Sequence, residues 1–439
     1  MLSTLREPMR GVRDRKSAWS WISFDIANQS FTLIVNTLLF SKYFMEVVLP
    51  AGTGDPNTKW SLVFTLSMLM TVIASPVAGA IADDRGRKKA ALLFTGFGCA
   101  LLTCALGFVP ASYVWIIIAL YIPANFCFNL GENFLASFLP ELAPRDEFGR
   151  LSGFSWACAY FAALILLVIT VAAMFIFELQ SVERWRPFFV FAGLWFLLFS
   201  IPTAIWLRER PVDTVTPGNP VIVGFGRLVG TIREARKHRD LALLLIASFF
   251  YGIAMQVVIA FASKIATDYG FSSQGMVIFV AVITVSGIVG TLATAAWQDR
   301  IGHKRTTLAL LAVWLIVCIC FALYTRAHNN TPDPSTFPQW PLWALGNLIG
   351  FGLGSLGAAN RAFVGFLTPA ARSAEFFGLW GLVFKLAAIG TIPFAAARDR
   401  FGDPVSFSML AAFVIIGAVV TLFVREHSGN VSTVSETHT

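Results

Sequence analysis

Four ionisable residues stand inside long apolar runs: Asp25, Glu132, Arg361 and Lys385. A charge within a membrane-length apolar helix costs about 2.5–3.5 kcal/mol on insertion scales, so each is a functional candidate by default. Asp25, Glu132 and Arg361 each lie about six residues from the same end of their runs, roughly 9 Å of helix at 1.5 Å per residue. That common depth is what a contact between the guanidinium and the carboxylates would need. The expected cluster pairs Arg361 with Asp25 or Glu132 and releases it when a solute or a proton arrives. A permanent ion pair that only fixes packing is the competing expectation. Asp25 and Glu132 are the candidates for proton coupling. Lys385 is a candidate anion contact, or a neutralising partner for a buried carboxylate.

Polar stripes accompany these charges. Asp25, Asn28, Gln29, Thr32 and Asn36 recur at helical spacing, as do Asn125, Asn129, Glu132 and Asn133. Amides facing lipid would be unsatisfied, so the stripes must face inward. The expected substrate contacts are Asn28, Gln29, Asn36, Asn125 and Asn129, with Tyr251, Gln256, Asn347, Asn360 and Arg361 as the facing wall. Asn36 and Asn125, farthest from the charges, are favoured most. Hydrogen-bond glue between helices is the alternative use.

The elements that must position these residues follow from composition. The 439-residue chain is 56% hydrophobic and 13% charged, with mean hydropathy +0.70, whereas a soluble domain carries roughly 25% charged residues. Runs long enough to cross a bilayer fall near 20–45, 59–82, 90–109, 112–138, 151–177, 187–207, 241–266, 275–297, 306–326, 341–367, 377–398 and 405–425. This predicts an all-α membrane protein with twelve transmembrane helices. Most basic residues fall in alternate loops, so the net charge of +8 reads as topology rather than as a nucleic-acid surface. It places both termini in the cytoplasm. The expected organisation is an N-terminal segment 1–19, bundles at 20–207 and 241–425, a linker at 208–240 and a disordered tail at 426–439. In the linker, Val221, Phe225, Leu228 and Ile232 recur beside Arg227, Arg233, Arg236 and Lys237, a pattern for a helix lying on the inner leaflet. The six cysteines lie in apolar runs and match neither a disulfide framework nor a zinc site. No phosphate-binding G-x-x-x-x-G-K-[ST] string occurs, so no ATP-driven mechanism is expected; no metal or other cofactor is expected either.

The chain repeats itself. GAIADDRGRKK at 79–89 is echoed by AAWQDRIGHKR at 295–305, and FLPELAPRDEFGRLSGFSW at 138–156 lies over FLTPAARSAEFFGLWGLVF at 366–384, matching Glu147 to Glu375. Repeats of one orientation imply two bundles related by an axis along the membrane normal. The turn is expected to be a cytoplasmic gate. Asp83 would face the start of the eleventh span near Ser373, Asp299 the start of the fifth near Gly149, and Arg85 or Arg87 would pair with Glu141 or Glu147. Gly79, Gly86, Arg300 and Glu375 complete that gating set. Glycines at 350–359 allow close helix approach.

Two six-span halves, a basic middle loop and G-x-x-x-D-x-x-G-R-K after the second span resemble the major facilitator superfamily; Ala295 replaces the leading glycine in the second copy. FDIANQSF, FLPEL with GRLSGFSWACAY, NRAF, AEFFGL and Lys385 together resemble its vacuole-effluxer branch, although Ile26 stands where that branch usually has tryptophan. The resemblance implies a central cavity lined by spans one, four, seven and ten. It further implies a secondary transporter working by alternating access, taking a small polar or amphipathic solute, amino-acid-like by preference. Protons are an expected partner besides the solute and the bilayer. A monomer in a bacterial inner membrane is expected, and not an enzyme. The alternatives are a proton-driven exporter of hydrophobic compounds and a non-transporting receptor on the same fold.

Overall fold

The computed structural model describes residues 9, 11–84, 87–144, 148–209, 219–333, 337–368 and 373–426, with the side chains of 82–84, 148–150, 220, 295, 296, 299, 373 and 374 also outside the description. Among the described residues, twelve helical segments are long and apolar enough to cross a membrane. Spans 1 to 6 are Arg15–Val48, Pro56–Ile81, Lys88–Phe108, Val114–Leu142, Leu151–Ile176 and Val182–Trp206. Spans 7 to 12 are Arg239–Asp268, Ser273–Thr294, His303–Asn329, Trp340–Leu367, Glu375–Phe401 and Asp403–Leu422. They form two six-helix bundles, and large side chains such as Phe94, Trp115 and Ile176 remain exposed on the outside, as a lipid-facing surface requires.

One end of the molecule, the near end, carries both ends of the described chain. Arg13 donates its backbone N–H to the Leu142 carbonyl, and the Arg425 N–H meets Asp240. The linker helix Pro220–Lys237 lies there too. At the opposite, far end of the first bundle, Phe40, Tyr43, Phe44, Trp60, Tyr121 and Phe189 form an aromatic core, with Phe40 stacked on Tyr121 at 4.5 Å.

Two spans leave regular α geometry. Span 1 widens into a π-helix over Ser30–Leu39, just after Asp25, Asn28 and Gln29. Span 11 tightens into a 3-10 turn over Ala387–Gly390, two residues past Lys385. Such breaks re-aim side chains and often accompany functional sites.

The glycine run in span 10 packs against span 8. A methyl group on Gly354 would lie 2.1 Å from the Gly287 carbonyl oxygen, and one on Gly350 would lie 2.2 Å from that of Ile283. Overpacking of this kind costs about 1–3 kcal/mol. Gly354→Ala is therefore expected to lower the melting temperature of the detergent-solubilised protein. Gly153→Ala, where a methyl would meet nothing within 4 Å, is expected to leave it unchanged.

Candidate substrate site between the bundles

Asp25 and Glu132 come together through their helices, but neither holds Arg361. Ser155 of span 5 donates its hydroxyl to Asp25 Oδ2 at 2.6 Å. Asn28 of span 1 donates its amide to Glu132 Oε1 across to span 4. Arg361 instead lies over two indole rings, 5.3 Å from Trp156 of span 5 and 5.9 Å from Trp380 of span 11. The expected ion pair is thus replaced by cation–π contacts. Both carboxylates remain close enough to act on the guanidinium electrostatically. Arg361 is exposed although it sits well inside span 10, and its two indole partners come one from each bundle, which puts it between them. The Trp156 ring continues to Tyr160 at 5.8 Å.

Lys385 bridges the bundles. Its ammonium donates to Asn133 Oδ1 at 2.6 Å and to the Asn129 carbonyl at 3.1 Å, while the Asn133 amide donates to Ser75 at 2.8 Å. Span 11 was expected to stand outside the main cavity wall, yet it supplies both Lys385 and Trp380. Beside them, Gln256 donates to the Phe384 carbonyl at 2.9 Å. The Gln256 amide oxygen and the Trp380 indole N–H are buried without partners. One free acceptor and one free donor therefore accompany the unpaired guanidinium.

Other amides are spent on packing. Asn36 donates to Asn125 Oδ1 at 3.0 Å and accepts from the Tyr121 hydroxyl at 2.9 Å; Asn125 donates to Ser67 at 2.6 Å, and Asn129 donates back to Asn125. This closed network ties spans 1, 2 and 4 together, so the two amides favoured as solute contacts serve here as interhelical glue. Tyr251 and Asn360 meet through Ser248 at 2.9 and 3.2 Å inside the second bundle. Asn347 accepts from Ser286 of span 8 at 2.5 Å and donates to the Trp343 carbonyl, which turns it away from the central face. Gln29 is half-buried.

Residues 145–433 match the family described as vacuole effluxer Atg22 like, and residues 3–149 match the MFS/sugar transport protein family. The chain belongs to the Atg22-like family. An uncharacterized MFS-type transporter, YxiO of Bacillus subtilis, is 25% identical over 95% of this chain and 96% of its own length. Autophagy-related protein 22 of Kluyveromyces lactis is 23% identical over 85% of this chain and 82% of its own. Among solved structures, a D-xylose-proton symporter superposes with a TM-score of 0.71 at 15% identity, covering 93% of this chain and 97% of the other. The fold is that of the major facilitator superfamily, and this Atg22-like protein is an integral membrane transporter rather than an enzyme.

The transporter is joined at its far end. Asp399, near the end of span 11, accepts from the Thr58 N–H and hydroxyl and the Asn57 amide at 2.7 Å each, and from the Asn57 N–H at 3.3 Å, so it caps the start of span 2. Arg398 donates to Asn57 at 2.9 Å while pairing with Asp268 and Asp403. Lys264 of span 7 reaches Glu46 of span 1 at 3.2 Å. Trp60 donates its indole N–H to the Ala260 carbonyl at 2.9 Å, and Ser61 meets Thr391 at 2.7 Å. Among the described residues, the hydrogen bonds between bundles lie at this far end, apart from those of Lys385.

Most of the expected near-end gate falls outside the description. Asp83, Arg85, Gly86, Glu147 and Asp299 lie outside the described residues or side chains. Glu141 pairs with Lys88, at the start of span 3, at 3.2 Å; the expected pairing with Arg85 lies outside the described residues. Arg87 and Arg300 are exposed, and Gly79 has open space where a methyl would stand. Glu375 accepts from Thr231 of the linker helix at 3.3 Å. Two carboxylates missed in the sequence cap the helices after each turn. Glu209 accepts the backbone N–H groups of Lys88 and Lys89 at 2.6 and 3.0 Å, and Glu426 those of His303 and Lys304 at 2.6 and 3.4 Å. Each satisfies orphan donors and the positive end of a helix dipole. The signal was available as a repeat: Leu207-Arg208-Glu209 and Val424-Arg425-Glu426 follow the sixth and twelfth spans alike.

Proposed function

We propose that this transporter carries a small zwitterionic or amphipathic solute, amino-acid-like in its charges, by alternating access. The single observation behind the reading is Arg361: a guanidinium well inside a span, without an ion pair among the described residues, held between indole rings and facing the gap between bundles. An unpaired cation at that depth is costly, and a solute carboxylate would satisfy it bidentately. Asp25 and Glu132, on the facing helices, would receive the solute's ammonium group. Trp156, Tyr160 and Trp380 would cover its apolar part.

The seal at the far end supports a state closed on one side and ready to exchange solute on the other. By the distribution of basic residues, the near end is assigned to the cytoplasm. A thermal-shift screen of amino acids, peptides, sugars and metal chelates on the purified protein tests the solute class. Stabilisation by zwitterionic amino acids is expected, and stabilisation by sugars alone would overturn the assignment.

Proton coupling is proposed for Asp25 and Glu132, whose present partners, Ser155 and Asn28, can bond either protonation state. Uptake into proteoliposomes is expected to follow an imposed pH gradient and to lose that dependence in Asp25→Asn or Glu132→Gln. Uptake indifferent to the gradient in all three proteins would exclude the coupling.

A further inference from the structure

The linker helix Pro220–Lys237 carries two distinct faces. Gly224, Thr231 and Ala235 are buried against the bundles. A methyl on Gly224 would lie 2.4 Å from the Pro76 carbonyl oxygen of span 2. Ala235 joins a small core with Leu241 and Phe376 of the second bundle. Turned away from this contact are Val221, Ile222, Phe225, Val229 and Ile232, of which Ile222 is 72% exposed.

Depth decides what covers that face. Pro76 lies five residues before Ile81, where span 2 ends, about 7.5 Å along its axis at 1.5 Å per residue. The contact with Gly224 therefore sets the first turns of the linker helix inside the near-end limit of span 2, a depth that meets acyl chains once the spans are embedded. Its other end runs into Arg239, where span 7 begins, at the level of the headgroups. Charge follows the same gradient. The first seven residues, PVIVGFG, have none; Arg227 follows, and Arg233, Arg236 and Lys237 crowd the last turns, all three exposed; Lys237 also pairs with Glu234 at 2.9 Å.

We infer that this face is a binding surface for an anionic phospholipid of the near-end leaflet, its phosphate on Arg233, Arg236 and Lys237 and its acyl chains along Val221, Ile222, Phe225 and Val229. The apolar half excludes a water-soluble acidic partner as occupant, and the basic half distinguishes anionic from zwitterionic lipid. Because the helix touches span 2 of one bundle and, through Thr231 and Glu375, span 11 of the other, the bound lipid would sit where the bundles move past each other. The inference rests on membrane embedding alone and is independent of the solute assignment.

The test uses the full chain with Phe225→Trp in liposomes of phosphatidylcholine containing brominated phosphatidylglycerol or brominated phosphatidylcholine, compared with the same chain bearing Phe225. A basic residue at an anionic surface contributes about fivefold in affinity, so three give on the order of 100-fold preference for the anionic lipid. Quenching of the added indole by brominated phosphatidylglycerol is expected at far lower mole fraction than by brominated phosphatidylcholine. That preference should vanish in the Arg233→Gln, Arg236→Gln, Lys237→Gln variant and persist when both arginines become lysine. Equal quenching by the two lipids, or a preference unchanged in the glutamine variant, would overturn the inference. So would the absence of quenching by either lipid, since the helix would then lie in water.

Discussion

Arg361→Gln is expected to abolish high-affinity solute binding while leaving the protein folded. The guanidinium makes no ion pair among the described residues and rests on Trp156 and Trp380, so its removal leaves no carboxylate stripped of a close partner. A glutamine can still lie between the rings. A hydrogen bond to a charged group is worth about 1.5–3 kcal/mol, and a bidentate pair with a solute carboxylate twice that, so affinity should fall by about 100-fold or more. Isothermal titration of the purified variant reads the loss, and an unchanged melting temperature separates it from misfolding. Arg361→Lys keeps the charge but not the planar fork and is expected to fall between the two.

The second large effect is expected at the far end. Asp399 accepts four hydrogen bonds from Asn57 and Thr58 across the bundle boundary, and it sits at the positive end of the span 2 helix dipole. These bonds exist only while spans 2 and 11 touch there. Under the proposed alternating access, removing the acceptors would destabilise the sealed state without altering the open one. At about 1.5–3 kcal/mol for bonds to a charged group, Asp399→Ala should raise the open-to-sealed ratio by roughly 10- to 100-fold. A cysteine at Ser263, buried beside Ser41 in that seal, reports the change in a background lacking the native cysteines. Its labelling by an impermeant maleimide should accelerate in Asp399→Ala and less so in Asp399→Asn. Equal labelling in all backgrounds would mean that the aromatic packing around Trp60, not the carboxylate, holds the seal.

These expectations divide according to what a linear pattern can carry. Apolar length reveals the twelve spans, because each crossing satisfies its own backbone and needs nothing from its neighbours. Mid-span charge likewise singles out Asp25, Glu132, Arg361 and Lys385, because cost alone marks them. Partner choice is not written that way. Helical spacing puts Asn36 and Asn125 on an inward face, but only the packing of spans 1, 2 and 4 brings Tyr121 and Ser67 to them and closes the network. Trp156 and Trp380 looked like ordinary apolar residues until two helices from different bundles met over Arg361. Lys42, Lys264 and Arg398 sit close enough to span ends to pass as flanking charges, yet Lys264 and Arg398 take part in the seal. The expected contact between spans 2 and 11 was aimed at their near ends through Asp83. Asp83 lies outside the described side chains, and the described contact joins the same two spans at their far ends, through Asp399.

One measurement bears most directly on the whole account: counterflow of labelled zwitterionic amino acids into proteoliposomes preloaded with unlabelled solute, for the wild-type chain and Arg361→Gln side by side. Saturable counterflow is expected in the wild type, inhibited by competing zwitterions and absent in Arg361→Gln. Counterflow at the wild-type rate in Arg361→Gln, or wild-type transport confined to uncharged hydrophobic compounds, would contradict it.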